Sequence, residues 1–149
     1  MSEESSVNTA KAPKELWIVG IVAVLWNSVG VMDFIMTNTK NATYLEDFSP
    51  EQLAFFEGYP MWVTVAWAVA VFGAVLGSVL LLMRKNLAAP VFVVALLGLL
   101  VTSFHNFVMK NGIEIMGKGA PLVTTILIMF GAVFLAYYAH AMKDKGVLR

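Results

Sequence analysis

Met61–Met83 reads MWVTVAWAVAVFGAVLGSVLLLM, a run without a single acidic, basic or imidazole side chain. A helix needs about 20 mostly apolar residues to cross the hydrocarbon of a bilayer, so the run predicts a membrane span. In lipid every backbone N–H and C=O must be bonded within its own segment or in a closed barrel. The run is rich in Val, Ala and Leu and lacks the polar alternation of a barrel strand, so the helix is preferred. Arg84 and Lys85 interrupt it, and a second apolar run continues from Leu87 to Met109. A connection as short as RKNL makes these two spans antiparallel neighbours. Leu16–Met36 and Pro121–Met142 have the same character. The expected architecture is all-α, a four-transmembrane-helix bundle over 16–142 with spans 16–36, 61–83, 87–109 and 121–142. A disordered tail at 1–15 and a polar tail at 143–149 flank it.

Composition agrees. Of 149 residues, 59% are hydrophobic and only 13% are charged, whereas a soluble domain carries about 25% charged residues. Seven cations (Lys11, Lys14, Arg84, Lys85, Lys143, Lys145, Arg149) fall on one side of the expected topology and three (Lys40, Lys110, Lys118) on the other. The excess of Lys and Arg marks the cytoplasmic side, which places both termini there. The bilayer is the first partner implied. Zero formal net charge gives no sign of a nucleic-acid partner.

The first connection, ATYLEDFSPEQLAFFEGYP at 42–60, is acidic and aromatic. Within it SPEQ reads as a helix start: Ser49 as N-cap, Pro50 at the first helical position, Gln52 closing a capping box. This predicts a short extra helix over 50–57, ended by Gly58. It is expected to lie on the outer face or over the mouth of the bundle, either as a structural cap or as a gate or docking surface. Glu51, Glu57, Phe55, Phe56, Tyr59 and Trp62 are the residues that a gate would use.

Ionisable groups inside a span mark candidate functional sites. Asp33 and His105 lie near the same end of spans one and three. Asn27 borders Asp33 along one helical face, and Thr102 and Asn106 flank His105. A small-residue face on each span points inward, so a polar network at the mouth is expected, with an Asp33–His105 pair possible within it. The other reading is that both groups finish helix ends near water, and that Asn27 makes an interhelical hydrogen bond. Trp26 is too deep for an interfacial belt and is expected to pack within the bundle. Gly73 and Gly77 form GxxxG, which marks a close helix contact inside the bundle or between protomers.

No catalytic site is expected, since H-E-x-x-H, G-x-S-x-G and phosphate-binding glycine loops do not occur. No metal and no cofactor are expected either. There is no cysteine, and the two histidines, His105 and His140, fall near opposite faces, so they cannot bind one haem iron within a protomer.

The stretch Leu25–Leu82 carries W-N-x-x-G-x-x-D ending at Asp33, then Tyr44-Leu45, F-S-P-E-Q at Phe48–Gln52, and Pro60 with Trp62. In this it resembles a group of small four-span bacterial inner-membrane proteins loosely labelled sugar transporters. The resemblance implies a bacterial inner-membrane protein and a small polar, sugar-like solute. The functional expectation is therefore a transporter or binder of such a solute, working as a homo-oligomer. The alternative is an accessory or structural subunit of a larger membrane complex.

Overall fold

The computed structural model describes residues 12–116 and 119–149. Most of the tail expected to be disordered, and Lys118, lie outside the described residues. Helix α1 is Lys14–Asn38, α2 the single turn Ala42–Leu45, α3 Pro50–Glu57 and α4 Met61–Leu82. α5 is Ala88–Phe104, α6 Gly112–Met116 and α7 Ala120–Asp144. The four long helices are each apolar and long enough to cross a bilayer. Their outward faces are apolar too: Ile18, Ile21, Leu25, Leu76, Leu97 and Phe130 are all exposed. In water such a surface would associate, whereas in lipid it is matched to its solvent. The chain is a small multi-pass integral membrane protein.

The spans depart from the sequence reading at their ends. α1 begins two residues early, at Lys14 behind Pro13, and continues to Asn38. The third span does not remain α-helical to Met109. It loosens into a π-turn over His105–Met109, a widening of the helix that often accompanies functional positions. The turn α2 was not expected. Asn41 caps it by accepting a bond from the Tyr44 N–H at 3.0 Å. The capping box of α3 forms as read: Ser49 Oγ accepts from the Gln52 N–H at 3.2 Å, and Gln52 Oε1 from the Ser49 N–H at 3.1 Å.

α1 packs on α4, α4 on α5 and α5 on α7. The α4–α5 contact is the tightest, and its residues explain why. A Cβ on Gly73 would lie 3.1 Å from Ala95 Cβ, and one on Gly77 would lie 2.8 Å from Phe92 Cδ1. From the other side, a Cβ on Gly98 would come within 2.7 Å of the Ala66 carbonyl oxygen. The GxxxG of α4 is thus spent inside the bundle, and the choice left open by the sequence falls to the intramolecular contact. Asn27 adds a polar tie from α1 to α4, donating to Ser78 Oγ at 3.0 Å, while Ser78 Oγ donates to the Ala74 carbonyl at 2.7 Å.

The start of α1 and the C-terminal residues meet at one end, and the apolar core gathers there around Leu16, Leu81, Ala88, Phe92, Ala139 and Met142. The C-terminal residues belong to this core instead of forming a free polar tail. α7 ends in a Schellman turn: Gly146 takes φ 74°, its N–H donates to the Lys143 carbonyl at 3.0 Å, and the Val147 N–H reaches Met142 at 2.9 Å. Val147 and Leu148 are then buried. Arg149 pairs its backbone with Arg84 and Asn86 at 2.7 Å each, so the end of the chain is fastened to the α4–α5 turn.

Gly77→Leu is expected to cost about 1–3 kcal/mol through overpacking against Phe92, and Gly77→Ala less. Thermal melting in one detergent would check this. A leucine variant that melts like the wild type would mean that α4 and α5 are not held by this seam.

Candidate functional site

The half of the bundle opposite the termini is hollow. A cavity of about 630 Å³ lies between the four long helices, floored by Phe92 and Leu135 at the edge of the core. Asn27, Gly30 and Asp33 line it from α1, Trp67 and Ala74 from α4, and Thr102, Ser103 and Asn106 from the end of the third span. Phe48, Phe55, Phe56 and Tyr59 close it from the 39–60 connection. Helical spacing brings one face of each span inward. The α3 capping box then turns the phenylalanines onto the opening.

The connection is a lid fastened at three points. Tyr44 donates its phenolic hydrogen to Asp33 Oδ1 on α1. Tyr59 donates to Asn106 Oδ1 at 2.8 Å, tying the other end of the lid to the third span. Between them Phe56 stacks on Trp67 of α4, with ring centroids 6.0 Å apart and an interplanar angle of 26°. Edge-to-face contacts extend this web. Phe34 meets Trp67 at 4.9 Å, Phe55 meets Tyr59 at 5.6 Å, and Tyr59 meets Trp67 at 5.9 Å. Such pairs add about 0.5–1.5 kcal/mol each beyond the area they bury.

Four of the five residues expected at the mouth do line the cavity: Asn27, Asp33, Thr102 and Asn106. His105 does not. It is 2% exposed, with Tyr59 and Trp62 edge-on to its ring at 5.3 and 5.5 Å. Its Nδ1 lies 3.2 Å from Asn106 Oδ1, and its Nε2 has no hydrogen-bond partner. No Asp33–His105 ion pair forms. Lys40, at the same end of α1, pairs with Glu57 instead, in an exposed contact at 3.9 Å. The reason is competition: Tyr44 occupies the carboxylate, and Asn106 and Tyr59 occupy the space around the imidazole. Asn27 serves both readings at once, tying α1 to α4 and lining the cavity. Thr102 Oγ1 bonds its own helix, at the Gly98 carbonyl, 2.9 Å away.

The gate residues divide. Phe55, Phe56 and Tyr59 face the cavity, Glu57 reaches Lys40, Trp62 packs on His105, and Glu51 borders a smaller recess with Lys110 beside α3. Sequence reading gave Tyr44, Trp67 and Phe48 no role at the site. The signal for Tyr44 was its spacing, just beyond the end of α1, where the first turn of a returning chain meets Asp33. Trp26 also departs from expectation. It lines the cavity but, at 46% exposed, is only partly packed.

No family model, no curated protein and no solved structure matches this chain.

Both lid phenols ionise late. Burial pushes Tyr44 up to about 12, helped by its hydrogen bond to Asp33 and by that carboxylate's charge. Burial also pushes Tyr59 up to about 12. The charge of Asp33 adds to the rise, and the bond to Asn106 works against it. A phenol whose folded value lies above its unfolded one stabilises the lid below the unfolded value and loses that contribution as pH rises through the folded one. The lid is therefore expected to loosen between the ordinary phenol range, near 10, and about 12. Tyrosinate absorbance should show a late component that loses two tyrosines' worth of amplitude in the Tyr44→Phe, Tyr59→Phe double variant. Unchanged titration in that variant would refute the lid geometry.

Proposed function

We propose that this membrane protein binds a small solute carrying a polar group in the lidded cavity and passes it through the bundle. One observation carries the reading: a cavity of about 630 Å³ with polar groups from three elements converging beneath an aromatic lid. Sites for small molecules commonly measure about 300–1,000 Å³ and combine apolar walls with a few placed polar groups. A protein built only to hold neighbouring subunits has no use for that void, since filling it with side chains would improve packing.

In this reading the membrane is the bacterial inner membrane, as the resemblance of Leu25–Leu82 implies. The excess of Lys and Arg at the end of the bundle that holds the termini supports cytoplasmic termini. The lid then faces outward, and Tyr44 and Tyr59 are the latches that must release for a solute to enter from that side. The resemblance adds a sugar-like solute. Four spans are few for a complete pathway, which is the argument for a homo-oligomer. Its contact would use surfaces other than Gly73 and Gly77, which are occupied by α5. For the same reason a leucine at either glycine no longer separates this reading from the accessory-subunit alternative, because the substitution disturbs the protomer itself.

Native mass spectrometry of the gently solubilised protein from its host provides the test. The expected result is a bound molecule of solute size, lost by at least about ten-fold in Ala132→Phe, which places a ring in the cavity wall. A wild type that carries no such molecule, isolated instead with a fixed set of other membrane subunits, would replace this reading with the accessory role.

A further inference from the structure

The wall between α1 and α7 is unlike the others. Each other neighbouring pair of long helices packs along its length, whereas α1 and α7 make no comparable contact. Trp26 bridges them, its indole Nε1 3.9 Å from where a Cβ on Gly131 would stand. Trp26, Val29 and Ile128 line the cavity along this seam, and none of the three is buried by neighbouring side chains. With no packed α1–α7 contact, this seam is the thinnest wall of the cavity. The cavity is plugged by the apolar core at one end and latched by the lid at the other.

The chemistry inside is equally one-sided. Most of the lining is aliphatic or aromatic. A sugar would bury hydroxyls on nearly every face, and each unmatched one costs about 1–3 kcal/mol. Three of the polar side chains are already engaged, Asn27 by Ser78, Thr102 by Gly98 and Asn106 Oδ1 by Tyr59, and Ser103, Thr124 and Thr125 add only single hydroxyls to the wall. One full charge remains, the carboxylate of Asp33. It accepts from Tyr44 and, at 3.5 Å, from Thr37, and among the described residues it has no cationic partner. A half-buried carboxylate with only neutral donors is matched by a cation. The rings of Tyr44, Phe48, Phe56, Tyr59 and Trp67 line the same cavity, and aromatic faces attract ammonium groups.

Resting on the solute reading above, we infer that the ligand is an amphipathic amine that enters from the bilayer through the α1–α7 seam, its ammonium at Asp33 and its apolar body against the Trp67–Phe56 web. This explains at once the lateral thinness, the apolar lining and the lone anion. Tyr44 and Thr37 both donate to Asp33 Oδ1, which leaves Oδ2 to accept a ligand ammonium.

Octylamine, octanol and glucose are the probes, added to the full-length protein in nanodiscs of uncharged phosphatidylcholine, with empty nanodiscs as the blank for partitioning. Quenching of tryptophan fluorescence reads the binding, since Trp26 and Trp67 border the cavity. Octylamine is expected to bind at least about ten-fold more tightly than octanol, and glucose not at all. Asp33→Asn, which keeps an acceptor for Tyr44, should abolish the preference. Tyr44→Phe, which removes the latch but keeps the charge, should retain it. Equal binding of octylamine and octanol, or tight binding of glucose, overturns the amine while leaving the solute reading standing. A preference for octylamine that survives Asp33→Asn also overturns it. Binding of none of the three overturns the amine as well, and the mass-spectrometric result then decides separately whether a solute is bound at all.

Discussion

Lipid tails are as apolar as the helices they surround, so one apolar helix face gains no hydrophobic free energy by meeting another. Close packing and a few polar ties must hold the bundle instead. Here they concentrate on the α4–α5 seam, where Gly73, Gly77 and Gly98 let Ala95, Phe92 and the Ala66 backbone approach to contact distance. The remaining helices are arranged around that pair. α1 joins α4 through Asn27 and Ser78, α7 joins α5, and α1 and α7 are left facing each other across the cavity without closing on it. A hollow bundle is thus the geometric result of placing most of the tight contact on one helix pair.

The same economy governs the lid. Asp33 and Asn106 are polar groups within spans, and each would be costly without a partner. Tyr44 and Tyr59 supply those partners and thereby pin the connection over the cavity. The side chains that latch the lid, Asp33 and Asn106, also line the cavity.

Much of the architecture was legible in the chain because its signals are local. Uninterrupted apolar runs marked the spans, and the Ser49–Gln52 capping box marked α3, because a cap involves residues three apart. Other features depend on contacts between distant residues. The docking of the C-terminal residues was not legible because nothing in Val147–Arg149 reveals that the α4–α5 turn offers them backbone partners. The π-turn at His105 left no mark in the apolar pattern. Asp33 and His105 fall near the same end of their spans in the sequence, but that could not tell that Tyr44 and Tyr59 would occupy the space around them.

Sequence by itself determined that this chain crosses a membrane as four helices with a capped helix between the first two, since hydropathy and capping are properties of a residue and its near neighbours. Only the tertiary structure decided that GxxxG is turned inward, that Asp33 is latched by Tyr44 and His105 set behind Tyr59, and that a cavity lies beside the α1–α7 seam. Those outcomes depend on which helix faces meet and how closely, and that is set by the summed packing of residues far apart in the chain.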